Sequence, residues 1–161
     1  MVNTVIDGRI SGLNSKDEVR ETAPVRILLV DGSELFRTAV SSLLREQPGY
    51  QIVGEAADGP KAIQRAMEIK PDLVVLDMDL SRLSGLEAAR QIRCCSPNSE
   101  ILFLTLNSDA EIAREALRAG ARGYVHKFDV AAELMEAVKT VLSGKQFIGR
   151  ALRGIRPSGN C

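Results

Sequence analysis

The sequence predicts an α/β fold: a doubly wound, five-stranded parallel sheet with five helices. Three observations carry that reading. Short apolar runs alternate with longer segments whose apolar residues recur at helical spacing. Three of the runs are continuous rather than alternating, as strands buried on both faces require. The strand-like and helix-like segments take turns along the chain, the pattern of a parallel sheet with right-handed crossover helices.

The elements follow in order. Arg26-Ile27-Leu28-Leu29-Val30 is the first strand. Leu35, Phe36, Ala39, Val40, Leu43 and Leu44 then mark one face of a helix after Ser33, stopped by Gln47-Pro48-Gly49. Tyr50-Gln51-Ile52-Val53-Gly54 is a weaker second strand. Asp58-Gly59-Pro60 opens the next helix, and Lys70-Pro71 ends it. Leu73-Val74-Val75-Leu76 is the third strand, followed by a capping box of Ser84 and Glu87. Ile101-Leu102-Phe103-Leu104 is the fourth strand. A second capping box, Ser108 with Glu111, starts a helix that closes at Gly120. Gly123-Tyr124-Val125-His126 completes the five strands, and Asp129 is the expected cap of the last helix, which ends at Ser143-Gly144.

Composition bounds the function. The chain has 161 residues, 45% of them hydrophobic, which suits one domain with a true core. Lys+Arg and Asp+Glu both number 21, so bulk charge does not target it to nucleic acid or anionic membrane. No apolar run approaches the roughly 18 residues that span a bilayer, and no secretory signal is visible, which places the chain in the cytoplasm without a membrane. Three cysteines, two of them the adjacent Cys94 and Cys95, and one histidine make neither a disulfide framework nor a zinc site. Residues 1–24 are polar and weakly patterned and read as a flexible leader. Residues 144–161 carry Lys145, Arg150, Arg153 and Arg156 with no acid and read as a basic tail, a remnant of an interdomain linker. The domain is then 25–143.

In a doubly wound sheet the ligand site lies beyond the carboxyl ends of the strands. Asp31 follows the first strand and Asp77 the third; Thr105 ends the fourth, and Lys127 lies just past the fifth. Two carboxylates, a hydroxyl and an ammonium therefore meet at one edge. Carboxylates so placed suit a hard cation such as Mg²⁺. Cation, ammonium and hydroxyl together would neutralise a phosphoryl group, and a carboxylate that attacks phosphorus forms an acyl phosphate.

Residues 26–143 resemble the receiver domain of two-component response regulators, and are most similar to the subfamily with helix-turn-helix outputs. The resemblance is carried by Ile27-Leu28-Leu29-Val30-Asp31, Ser33-Glu34-Leu35-Phe36-Arg37, Val53-Gly54-Glu55-Ala56-Ala57-Asp58-Gly59, Pro71-Asp72-Leu73-Val74-Val75-Leu76-Asp77, Leu104-Thr105, Ala116 to Tyr124, and Lys127. It implies the flavodoxin-like strand order 2-1-3-4-5 of the chemotaxis receiver. It implies that Asp77 is the phosphoacceptor and that Asp31, Asp77 and the backbone carbonyl of Asp79 hold Mg²⁺. It makes Thr105 the switch hydroxyl, Lys127 the partner of a phosphoryl oxygen, and Tyr124 the aromatic switch that turns inward. The implied donor is a sensor histidine kinase. The output is a population shift of the face made by the fourth helix, fifth strand and fifth helix, read by a homodimer or a downstream protein partner rather than by catalysis.

The sequence departs from the family pattern in places. The acidic pair after the first strand reads Asp31-Gly32, so one metal ligand is missing and Mg²⁺ binding should be weak. Glu34 and the Asp79 carboxylate are the available substitutes. The loop after the acceptor, Leu80-Ser81-Arg82, lacks the usual Met-Pro, and Phe128 follows the lysine in place of proline. Only 18 residues follow residue 143, so direct DNA binding through a helix-turn-helix is not supported. His126 reads as a packing residue. Gly32 also motivates an alternative: a pseudo-receiver that binds protein without phosphorylation. Asp77-Met78-Asp79 resembles the opening of haloacid-dehalogenase phosphatases, but follows the third strand rather than the first. Flavin or nucleotide binding is opposed by the acidic first loop.

Overall fold

The computed structural model describes residues 23–152. The expected leader and the far end of the expected tail, with Cys161, fall outside this range, the leader except for its last two residues. The elements are β1 (Val25–Val30), α1 (Glu34–Arg45), β2 (Tyr50–Ala56), α2 (Gly59–Ile69), β3 (Leu73–Asp77), α3 (Gly85–Cys95), β4 (Glu100–Thr105), α4 (Ala110–Arg118), β5 (Gly123–His126), α5 (Val130–Leu142) and β6 (Phe147–Ile148).

All neighbouring strands pair in parallel, in the order β2-β1-β3-β4-β5-β6. Along each inner strand successive side chains enter opposite layers. Leu28, Val30, Val74, Leu76, Ile101, Phe103 and Tyr124 pack with Ala62, Ala66, Ala89, Ile92, Ala113 and Ala116 of α2, α3 and α4. Ile27, Leu29, Leu73, Val75, Leu102, Leu104 and Val125 pack with Val40, Leu44, Leu134, Val138 and Val141 of α1 and α5. Burial on both faces is why these strands show no polar alternation. None of the described helices is long and apolar enough to cross a membrane.

The helix starts are chemical. Ser33, Asp58 and Ser84 each accept the backbone N–H three residues on, from Phe36, Lys61 and Glu87. Two expected caps are corrected. Ser108 does not cap α4; Asp109 does, accepting the Glu111 N–H at 2.7 Å, because the helix begins one residue later than the Ser-x-x-Glu spacing suggests. Asp129 makes no capping bond, since a 3-10 turn, Lys127–Asp129, precedes α5 and the carboxylate faces Arg150 instead.

The sheet has six strands rather than five. The chain does not leave the domain at residue 143: Phe147 and Ile148 pair with Gly123 and Tyr124, and Leu152 is 2% exposed. A basic composition signalled a solvated tail, yet Phe147, Ile148 and Leu152 supply enough apolar surface to dock this stretch on the sheet edge.

Candidate functional site

The carboxyl ends of β1, β3, β4 and β5 form one rim. Asp31 and Asp77 are buried there at 3% and 4% exposure. Lys127, in the 3-10 turn after β5, bridges them: its Nζ lies 2.7 Å from Asp31 Oδ2 and 3.3 Å from Asp77 Oδ1. The Phe36 ring sits beneath the same ammonium at 4.5 Å, a cation–π contact that fixes it from the α1 side. The structure thus brings Asp31, Asp77 and Lys127 into contact across 96 residues of sequence.

Backbone donors set each carboxylate. Ser33 N–H donates to Asp31 Oδ1 at 2.8 Å, and Asp79 N–H to Asp77 Oδ1 at 3.0 Å. Asp77 Oδ2 stays outside this network. Burial pushes the Asp77 carboxyl above its ordinary value; the Asp79 N–H opposes this, the Asp31 charge adds to it, and Lys127 opposes it. The Asp79 side chain is exposed, as is Glu34, and neither joins the cluster.

Thr105 is fully buried at the end of β4, and its Oγ1 accepts the Asn107 N–H at 2.9 Å. Tyr124 points inward and is fully buried, its ring 6.2 Å from that of Phe103. Its hydroxyl makes no hydrogen bond of ordinary geometry. Burial raises the phenol above its usual value; Thr105 acts against this, and the Asp79 and Asp109 carboxylates act with it.

Sequence reasoning missed three contributors. Phe36 and Arg37 lie on the first turns of α1; Arg37 donates to the Asp31 carbonyl at 2.6 Å and to Glu55 at 2.8 Å, which locks the strand end that presents Asp31. Both stand in the segment Ser33-Glu34-Leu35-Phe36-Arg37 that carries the resemblance, but no sequence signal put either in contact with the acidic site. The third is His126, which does more than pack. Its Nδ1 accepts the Phe128 N–H at 3.2 Å, which leaves Nε2 to donate to the Leu106 carbonyl at 3.1 Å. It ties the end of β5 to the loop after Thr105. Gly85 is a further requirement, because a Cβ there would collide with the Asp77 carbonyl and with Met78.

The donor set decides what ion fits. Among the described residues no group of three or more His, Cys, Asp or Glu side chains converges. Asp31 and Asp77 offer hard oxygens of the kind Mg²⁺ takes, and an ion held by two carboxylates alone would keep most of its waters. Gly32 contributes nothing to it, although a Cβ at that position would meet only the Ala57 carbonyl, at an ordinary 3.6 Å.

Comparisons with known proteins bear on the family and the fold. Residues 27–139 match the model of the response regulator receiver domain. Response regulator GacA of Pseudomonas viridiflava is 32% identical over 142 residues, covering 84% of this chain and 66% of the relative. The transcriptional regulatory protein LiaR of Bacillus subtilis is 31% identical over 140 residues, with the same coverage of both. The chain therefore spans about two thirds of the length of these relatives. A crystal structure of a LuxR-family two-component response regulator from Aurantimonas sp. SI85-9A1 superposes with a TM-score of 0.78 at 36% identity, covering 82% of this chain and 94% of that one. The receiver domain of the putative regulator NarL from Mycobacterium tuberculosis gives a TM-score of 0.73 at 28% identity, over 76% of this chain and 99% of that one.

Proposed function

The chain belongs to the response regulator receiver family, and on that premise we propose that Asp77 accepts a phosphoryl group from a sensor histidine kinase in the cytoplasm and signals by a conformational shift. The observation that carries the proposal is the Lys127 bridge between Asp31 and Asp77 at the tip of β3.

The chemistry follows from the bonding. Asp77 Oδ1 is held by the Asp79 N–H and by Lys127, so Oδ2 is the oxygen that attacks phosphorus. The P–N bond of the donor phosphohistidine breaks, an O–P bond forms, and the electron pair and a proton stay with the departing imidazole. Lys127 then moves from Asp31 to a phosphoryl oxygen. Asp31, Asp77 and the Asp79 carbonyl would hold Mg²⁺, which lowers the repulsion between the carboxylate and the anionic donor. Thr105 trades its bond to Asn107 for one to the phosphoryl group, and the loop held by His126 shifts with it. The altered face of α4, β5 and α5 is what a second copy or a downstream protein reads, and the domain itself turns over no substrate.

Gly32 favours one other reading, a pseudo-receiver in which Lys127 permanently replaces the metal and Asp77 is never modified. Incubation with Mg²⁺ and a small phosphodonor, followed by intact-mass measurement of wild type and Asp77→Asn, separates the two. Receiver activity gives a gain of one phosphate in wild type alone. A gain in both proteins removes Asp77 from the role; no gain in either, together with no amide shift at Thr105 on adding beryllofluoride and Mg²⁺, favours the pseudo-receiver.

A further inference from the structure

Beyond α5 the chain turns back and lies along β5. Phe147 N–H donates to the Arg122 carbonyl at 2.9 Å, and Gly149 N–H to the Tyr124 carbonyl at 2.8 Å. Phe147 packs into the layer of α1 and α5, while Ile148 and the buried Leu152 join the opposite layer, the one that contains Phe103 and Tyr124. The segment therefore wraps the edge of the sheet. Without it β5 would be an edge strand with an open row of backbone donors and acceptors.

Polar contacts fix the wrap. Glu133 of α5 is only 6% exposed, and its Oε2 accepts the Arg150 N–H at 2.9 Å. Its Oε1 has no partner. The Arg150 guanidinium holds Asp129 Oδ1 through two bonds, at 3.0 and 3.1 Å. A Cβ on Gly149 would come within 2.8 Å of Glu133 Oε1 and a tight 3.3 Å of the Tyr124 carbonyl, so any larger residue must displace the Glu133 carboxylate or the latch itself. Docking gives Glu133 one backbone donor but leaves its other oxygen buried and unpaired, so release of the segment would return that oxygen to water and the docked state is held with little margin. Glu133 and Gly149 have no part in the phosphoacceptor chemistry.

We propose that residues 147–152 are a latch whose docking on β5 and Glu133 keeps Tyr124 buried, so that latch release and exposure of the Tyr124 ring are a single coupled transition. Gly149 of the latch bonds the Tyr124 carbonyl, and Ile148 and Leu152 belong to the buried cluster that contains the tyrosine. The tyrosine hydroxyl makes no hydrogen bond of ordinary geometry, so apolar packing around its ring is what favours its burial. Coupling of this kind is reciprocal, so whatever draws Tyr124 inward also tightens the latch. The inference does not rest on phosphorylation of Asp77, and it is tested without a phosphodonor.

The chain contains two tyrosines and no tryptophan, so Tyr50→Phe leaves Tyr124 as its sole tyrosine emitter. In that background Gly149→Val and Leu152→Asp each release the latch by a different route, one by steric clash and one by burying a charge. The second acts at the segment's end and leaves the sheet intact should the first fail to fold. Two readouts are taken on each full chain: hydrogen exchange of the amide at position 149, and acrylamide quenching of Tyr124 emission. The expected result is a several-fold rise in both. Fast exchange with quenching unchanged from the parent overturns the coupling. Slow exchange in both variants overturns the latch itself.

Discussion

Gly32→Asp is the most informative single change in the site. The structure allows it: the added Cβ meets only the Ala57 carbonyl at 3.6 Å, and Gly32 is not among the residues with positive φ. The new carboxylate would stand next to Asp31, on the rim shared with Asp77. Two unit charges about 4 Å apart interact by about 4 kcal/mol at an effective dielectric of about 20. A dication feels more than that, but the metal-free protein must hold a third anion beside two others, and the cation must shed water. With most of the attraction offset in this way, the net gain is about 1.4 to 2.8 kcal/mol, or roughly ten- to hundredfold tighter Mg²⁺. Titration with Mg²⁺, followed through the amide shifts of residues 31 to 33, measures it directly. Phosphodonor labelling should reach half its maximal rate at correspondingly lower Mg²⁺. An unchanged Mg²⁺ midpoint in a folded Gly32→Asp protein would refute the idea that the missing acid is what weakens the site.

Three further outcomes are expected. Lys127→Met removes the bridge between two buried carboxylates and should lower stability at neutral pH by about 1 to 3 kcal/mol in denaturant titration, the loss shrinking on acidification as Asp77 takes up a proton. Asp77→Asn should raise the melting temperature at neutral pH. The folded protein holds the Asp77 carboxyl above its ordinary value of 3.8, so its charged form opposes folding above that range; the advantage of the amide narrows as pH falls through the raised value and is gone below 3.8. Asp109→Ala should cost about 1 kcal/mol by thermal melting while Ser108→Ala costs almost nothing, since Asp109 is the cap of α4; equal losses would restore Ser108 to that role.

What the sequence revealed follows from where each residue is buried. The inner strands were legible because each is covered on both faces, which leaves continuous apolar runs. The second strand was fainter because most of β2 is only partly buried. Ser33, Asp58 and Ser84 were legible as caps because their bonds are local. β6 was not, since two residues cannot establish a period and their burial depends on docking against Tyr124 and Glu133 from distant parts of the chain. The same division holds in the site. Asp31, Asp77, Thr105 and Lys127 could be placed on one rim because strand ends are marked in sequence. Phe36 and Arg37 were not, because an aromatic ring below an ammonium and a guanidinium on a carbonyl are tertiary contacts with no spacing rule.

The loss of the acid at position 32 and the position of Lys127 are two sides of one charge balance. Asp31 and Asp77 with Lys127 leave a net single negative charge at the rim, a cluster that can stay folded without a cation. A third carboxylate would leave two, with only one ammonium to share between them. In this chain, then, the Lys127 ammonium neutralises part of the charge on Asp31 and Asp77, while burial still holds the Asp77 carboxyl above its ordinary value. The cost of phosphorylation should therefore lie in detaching Lys127 from Asp31, a 2.7 Å bond with only 13% of the lysine side chain exposed, rather than in recruiting it from solvent. Weakening that bond while keeping the lysine, as in Asp31→Asn, should loosen the metal and free the ammonium at once. The two effects oppose each other in the labelling rate and separate on varying Mg²⁺: at saturating Mg²⁺ the variant's deficit should narrow, and a deficit constant across the titration would contradict this division of labour.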